Sequence, residues 1–274
     1  MGELDDNRLV QAFANFRSAG KKALLPFITA GYPDAETTIA LLKDFETHGV
    51  RICELGVPFS DPIADGPVIQ NSYTEALAAG ITSDKIMDLV RRYRKGGGTL
   101  ALAAMVSYSI VFHHKVGEYL AALAKAGFDA VIIPDLPLEE AAAVELAACK
   151  ADLCNVMLIA PTTDPSRRLE IACHSRGFIY YISIAGITGQ RDRLPPATTA
   201  AVTELRKHTD TPVCVGFGIS RPEMVAEVCR AADGAIVGSA IVAKLAAGKS
   251  APRKKLVKET GEFVSQLLAP LAKS

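Results

Sequence analysis

The sequence predicts an α/β fold: a single (β/α)8 TIM barrel with an additional N-terminal helix, one domain over residues 1–274. Three observations lead there. The length of 274 residues is close to that of one such barrel. Eight short runs are continuously apolar instead of alternating, which marks strands covered on both faces and hence a parallel sheet. Helical patterns separate those runs with no break in composition, as expected of one closed barrel. A doubly wound open sheet is the runner-up. It usually needs fewer strands and a Gly-rich turn after the first, and Ala30-Gly31-Tyr32-Pro33 is not G-x-G-x-x-G.

Helix Asp5–Ala19 precedes strand Leu24–Ala30. Pro33-Asp34 opens helix Ala35–His48, with Asp34 as N-cap. Strand Ile52–Val57 breaks into a Pro/Gly-rich loop, followed by an extra helical piece around Val68–Ala79 and helix Ser83–Arg94. Strand Thr99–Val106 leads to helix Lys115–Ala126, strand Ala130–Pro134 to helix Leu138–Lys150, and strand Asn155–Ala160 to helix Ser166–Cys173. Strand Phe178–Ser183 is followed by helix Thr198–His208, and strand Pro212–Gly216 by helix Arg221–Ala231. The last strand, Gly234–Gly238, runs directly into a helix at Ser239-Ala240, and Arg253–Leu268 closes the chain. The interval from Val57 to Thr99 is the longest between strands, so a functional insertion belongs there.

Composition excludes several classes. Thirty basic residues balance thirty acidic ones, which leaves no electrostatic footprint for nucleic acid or an acidic membrane. Met1 to Arg8 is polar and acidic, unlike a signal peptide, and no run of about 18 apolar residues suggests a membrane span. Six scattered cysteines without a C-x-x-C pair read as buried reduced thiols of a cytoplasmic protein.

In a barrel, reactive groups come from the C-terminal ends of strands and the loops after them. No predicted strand carries a lysine, which argues against a Schiff-base aldolase, or a histidine, which argues against a strand-borne metal site. The pair His113-His114 reads as a solvated helix start. Carboxylates remain: Glu54 in the second strand, Asp61 and Asp65 in the loop after it, and Asp135 after the fourth. If Glu54 points into the barrel, Cys53 points out, because side chains alternate along a strand. An inward Glu in an apolar mouth has its pKa raised by desolvation, and raising it by about two costs roughly 2.7 kcal/mol. A cost of that size argues for a use, namely proton donation near neutral pH. Asp65 read alone is an N-cap, with Gly66 and Pro67 opening the next helix. Asp61-Pro62 reads as a turn, and Asp135 as a cap of the helix after it.

A phosphate pocket is read independently. Gly216-Phe217-Gly218-Ile219-Ser220 follows the seventh strand, with Ser220 able to cap the next helix, and Gly238-Ser239 follows the eighth. Glycines after strands seven and eight, facing a short helix N-terminus, form the recurring phosphate site of these barrels. The loop Ala185–Pro195, with two glycines and a run of charges, reads equally as a lid or a solvated linker.

The chain resembles the α subunits of tryptophan synthase over nearly its whole length. The resemblance rests on Leu25-Pro-Phe-Ile-Thr-Ala-Gly31, Glu54-Leu-Gly-Val-Pro-Phe-Ser-Asp-Pro-Ile-Ala-Asp-Gly-Pro67, Gly186-Ile-Thr-Gly189, Gly216-Phe-Gly-Ile219 and Gly238-Ser239. It implies a cofactor-free retro-aldol lyase that cleaves indole-3-glycerol phosphate into indole and glyceraldehyde 3-phosphate. It implies Glu54 as the acid/base at indole C3 and at the glycerol hydroxyl, and Asp65 as acceptor of the indole N–H. Phe27 and Tyr180 would line the indole cavity, and Thr188 would help position Asp65. Gly189, Gly216, Phe217, Gly218, Gly238 and Ser239 would bind phosphate. The resemblance also implies a pyridoxal-phosphate β-subunit partner in an αββα assembly, met through the second loop with Asp61 and the segment around Pro137. The chain departs from the family's common Tyr-x-Asn after the third strand, where it has Ser107-Tyr108-Ser109, which leaves the indole pocket roomier unless Tyr108 or a neighbour fills it. Other readings on the same residues are a standalone indole-releasing lyase, a catalytically silent activator of the β subunit, and a different sugar-phosphate enzyme on the same barrel.

Overall fold

The computed structural model describes residues 4–62, 65–183, 195–216 and 218–272. Its strands are β1 (Ala23–Thr29), β2 (Ile52–Gly56), β3 (Ala101–Met105), β4 (Ala130–Ile132), β5 (Cys154–Val156), β6 (Leu158–Ile159), β7 (Ile179–Ile182), β8 (Val213–Gly216) and β9 (Gly234–Val237). All pair in parallel, in the order β5-β4-β3-β2-β1-β9-β8-β7-β6. The two ends of that order, β5 and β6, are consecutive in the chain and flank Met157. They are one strand, so the sheet closes on itself as the predicted eight-stranded barrel.

The interruption at Met157 has a local cause. Its N–H donates to the Ser175 hydroxyl at 3.0 Å instead of to a neighbouring strand, and that hydroxyl donates to the Phe178 carbonyl at 2.7 Å. The Met157 carbonyl still accepts from Tyr180 N at 3.0 Å, which holds the seam shut.

Strand alternation sorts two cores. Leu25, Phe27, Ile52, Ala101, Ala103, Ala130, Ile132, Cys214 and Ile236 fill the lumen. Leu24, Ile28, Cys53, Leu55, Leu102, Ala104 and Val131 face the surrounding helices. That outer layer comprises α2 (Ala35–Thr47), α3 (Pro67–Ala78), α4 (Ser83–Lys95), α5 (Tyr108–His113), α6 (Val116–Ala126), α7 (Ala141–Lys150), α8 (Pro165–His174), α9 (Pro196–Leu205), α10 (Pro222–Ala231), α11 (Ser239–Gly248) and α12 (Arg253–Leu268). The additional N-terminal helix, α1 (Arg8–Ser18), carries Leu9 and Phe13 four residues apart on one face. Both join the lumen core, with Phe13 5.7 Å from the Phe178 ring, so α1 plugs the base of the barrel.

Most predicted elements stand within two or three residues of their expected bounds, and Asp34 caps α2 through Thr37 N at 2.9 Å. Several details differ. Gly66 is the N-cap of α3, and Asp65 makes no cap bond to it. Asp135 does not cap the segment after it: its two oxygens take Ser107 Oγ and Tyr108 N, each at 2.7 Å, so it braces the start of α5. Arg221, not Ser220, stands at the N-cap of α10. His113 ends α5 and His114 caps its C-terminus, so the pair is not a helix start. Cys53, Cys154, Cys214 and Cys229 are buried, but Cys173 is exposed because it lies on the outer side of α8. Among the described residues, no helix is long and apolar enough to cross a membrane.

Candidate active site

β2 places Glu54 two residues after Ile52, on the lumen side, beside Phe27 of β1 and Ala103 of β3 in the strand register. Its side chain is fully buried, and neither carboxyl oxygen finds a hydrogen-bond partner among the described residues. An ionised carboxylate there would lose its hydration with nothing in return. Burial accordingly pushes its pKa well above the ordinary carboxylate value.

Asp65 reaches the site from the following loop. The turn is held by Asp65 N donating to the Pro62 carbonyl at 3.2 Å, and by Gln70 Nε2 donating to the Asp65 carbonyl at 2.8 Å. The carboxyl is left unengaged by the helix it precedes, and burial raises its pKa to about 6. Two carboxyls near one mouth thus differ in environment, one sealed in the lumen and one nearer to neutrality. That is the arrangement which separates a proton donor from a fixed anion.

Two tyrosines feel both carboxyls. Tyr180 of β7 and Tyr73 of α3 are both buried, and both phenols are raised first by burial and then by the charges of Glu54 and Asp65. Tyr73 follows from α3 laying Ile69, Ser72, Tyr73 and Ala76 inward, the spacing of one helical face. The Ser72 and Thr29 hydroxyls meet at 2.6 Å and fix that helix over β1. Tyr73 is a site residue that the sequence motifs do not single out, although the period-3.6 pattern of Val68–Ala79 carries the signal for it.

A cavity of about 480 Å³ occupies the mouth at the C-terminal ends of the strands. Phe27, Met105, Pro134, Leu158, Tyr180, Ile182 and Ile236 give it apolar walls, and Asp65, Gly216, Gly218, Gly238 and Ser239 line it as well. Gly216 is required by packing: a Cβ there would come within 2.6 Å of the Tyr180 hydroxyl. Gly218 is not, since a Cβ there would meet nothing within 4 Å among the described residues. α11 starts at Ser239 without a side-chain cap, and Gly238 accepts from Ile241 N and Val242 N at 2.9 and 3.0 Å. The first N–H groups of that helix therefore have no intrahelical partner, which suits an anion.

The structure thus brings together Asp65, Phe27, Tyr180, Gly216, Gly218, Gly238 and Ser239 around one mouth, while Glu54 lies buried in the lumen, beside Phe27 in the register and close enough to Tyr180 to raise its phenol, and does not itself line the cavity. Thr188, Gly189 and Phe217, and with them the candidate lid, lie outside the described residues. No group of three or more His, Cys, Asp or Glu with metal-binding geometry occurs among the described residues.

Comparison with known proteins decides the family. The family described as "Tryptophan synthase alpha chain" matches residues 13–269. The chain belongs to the tryptophan synthase alpha chain family. Members of that family from Chloroflexus aggregans and Rhodopirellula baltica are 44% identical over 239 residues and 41% identical over 268 residues. Those matches cover 87% and 94% of this chain and 90% and 96% of the relatives. Among solved structures, the alpha subunit from Legionella pneumophila aligns with TM-score 0.89 at 33% identity, over 98% of this chain and 99% of that one. A tryptophan synthase chain from M. tuberculosis, in an aminoacrylate-bound form, aligns with TM-score 0.83 at 30% identity, over 97% and 99%.

Proposed function

We propose that this chain cleaves indole-3-glycerol phosphate into indole and glyceraldehyde 3-phosphate, a carbon–carbon lyase step of tryptophan biosynthesis. The observation that carries the proposal is the sealed Glu54 carboxyl, without a hydrogen-bond partner among the described residues, beside the cavity-lining Phe27 in the strand register. A protonated Glu54 donates to C3 of the indole ring, which becomes a cationic indolenine. Asp65, ionised above about pH 6, accepts the ring N–H and offsets that positive charge. The Glu54 carboxylate so formed then takes the proton of the glycerol hydroxyl next to the ring. The bond from that carbon to C3 breaks, its electron pair returns to the ring, and the carbon leaves as an aldehyde. Glu54 ends protonated and no water is consumed.

Phe27 and Tyr180 flank the ring, and Tyr73 and Tyr180, both neutral, share the field of the two carboxyls. The phosphate dianion takes the backbone of Gly218 and the open N-terminus of α11 at Gly238 and Ser239, with Gly216, Phe217 and Gly189 completing the contact. Thr188 positions Asp65. No cofactor enters this step. Pyridoxal phosphate belongs to a β subunit, which this chain joins in an αββα assembly in the cytoplasm, as one barrel domain over residues 1–274. The L. pneumophila and M. tuberculosis relatives, described as a tryptophan synthase subunit and a tryptophan synthase, support the partnership.

The test is release of indole from indole-3-glycerol phosphate by the purified chain, alone and with a β subunit in a second tube. Turnover raised by the β subunit is the expected result. Equal release in both tubes would favour a standalone lyase, and none in either would overturn the reading.

A further inference from the structure

The cavity does not end at Asp65. A second space of about 40 Å³ opens beside it, and the two share Asp65, Met105 and Pro134 as a common wall. Val57, Phe59 and Val106 give the side space an apolar lining, and Ser107 and Asp135 close its far side. A single water needs roughly 10–15 Å³ by the same kind of measure, so a methyl group or a chlorine atom fits and a further ring does not.

Ser107 keeps that space open. Its hydroxyl donates to Asp135 Oδ2 at 2.7 Å and accepts from Ser109 N at 3.3 Å, so a short side chain is pinned to the wall at the start of α5. The neighbouring aromatic does not fill the gap. Tyr108 packs on the helix-side core, with its ring 5.9 Å from that of Phe112, and lines neither cavity.

The residue shared by the two spaces sets the direction. Asp65 lines both the main cavity and the side space, so a ring N–H directed at Asp65 sits where the two spaces meet. With the ring N–H directed at Asp65, the benzo carbons nearest the nitrogen, carbons 7 and 6, face the side space. We propose that this side space lets the chain accept substrates carrying a small apolar substituent on carbon 6 or 7 of the indole ring, with Ser107 as the residue that sets the limit. The inference deepens the reading of the reaction given above and rests on it.

The experiment compares kcat/KM for parent indole-3-glycerol phosphate and its 4-, 6- and 7-methyl forms. At least one of the 6- and 7-methyl substrates should match or exceed the parent, by up to about fourfold for a fully buried methyl. The 4-methyl form should fall at least tenfold below, since carbon 4 adjoins C3, where the lumen is filled. In Ser107→Tyr the ratio of the favoured methyl substrate to parent should drop at least tenfold. Ser107→Thr keeps the hydroxyl that braces α5, adds one methyl and should lower the ratio about threefold, which secures the test if the tyrosine variant folds poorly. Tenfold slower cleavage of both the 6- and 7-methyl forms by the unaltered chain, or a ratio indifferent to Ser107→Thr, would overturn the inference. Failure on the parent substrate would overturn the proposed reaction itself, so the two failures are told apart.

Discussion

The hydroxyl of Tyr180 on β7 fills the place that a side chain on Gly216 of β8 would take, 2.6 Å from where its Cβ would stand. The contact is a cross-strand one, since Tyr180 and Cys214 pair in the register and Gly216 lies two residues further on the same face. Both residues line the cavity, Tyr180 on its apolar wall. One contact therefore couples the apolar wall to a glycine proposed to take the phosphate.

Gly216→Ala should push the Tyr180 ring into the cavity. Overpacking of this kind costs about 1–3 kcal/mol of stability. KM for the substrate should rise with it. Tyr180→Val in the same chain removes the obstructing ring, so the double variant should be less destabilised than the two single losses combined. Strict additivity in chemical denaturation would mean the clash is relieved elsewhere.

Glu54→Gln keeps the shape and removes the proton. Loss of an acid/base group of this kind lowers kcat by about 10²–10⁴. Single-turnover release of indole measures it, and substantial turnover would reject the role. Stability offers a second readout. Burial raises the Glu54 pKa well above its ordinary value of 4.5. The folded chain holds that proton where the unfolded chain has lost it, so the side chain costs stability as pH rises beyond about 4.5. Glu54→Gln should then gain on the unaltered chain between pH 5 and pH 8 in denaturation midpoint, and an unchanged difference would contradict a buried neutral acid.

Asp65 sets an acidic limb. Its pKa is raised by burial from 3.8 to about 6. A raised carboxyl favours folding least once it ionises, so its stability cost grows from about pH 4 and levels above about pH 6, reaching at most about 3 kcal/mol. Activity runs the other way, because the anion is the working form. kcat should climb through pH 6 and then flatten. Asp65→Asn should be slow at every pH and should lack that limb. A profile that still rises through pH 6 in the variant would assign the limb to another group.

The lumen side of this site was legible because strand parity is strict. Once Ile52–Val57 is a barrel strand, Glu54 and Cys53 must face opposite ways, and they do. The glycines after β8 and β9 were legible by position for the same reason. The features that escaped depend on contacts between elements distant in sequence. Asp135 stands before Leu136-Pro137 and reads as a cap of the next helix, yet its oxygens go back to Ser107 and Tyr108. Ser175 takes the Met157 N–H across 18 residues and splits one strand in two. Tyr73 was hidden because a helix face says which residues are buried, not that the burial lies over the barrel mouth.

At the face opposite the site one carboxylate, Asp129, is held by two arginines. It is buried and takes Arg8 Nε at 3.0 Å, Arg94 at 2.9 Å and the Leu102 N–H at 2.8 Å, just before β4. Burial raises its carboxyl more than Arg94, the Leu102 amide and Arg8 together lower it, so the charge is tolerated only while its partners remain. The two arginines are not equivalent. Arg94 is mostly buried, its side chain 14% exposed, and also donates to the Gly98 and Gly127 carbonyls, whereas Arg8 is 42% exposed. Arg94→Met strands a buried carboxylate and should cost about 3–5 kcal/mol. Arg8→Met removes a solvated partner and should cost under about 1 kcal/mol. Because Asp129 precedes β4 while the cavity lies beyond the strands' other ends, KM for the substrate should stay the same in both variants at temperatures where they are folded. Equal losses for the two would show that solvent, not Arg94, holds this charge, and a shift in KM would show that the base of the barrel is mechanically coupled to its mouth.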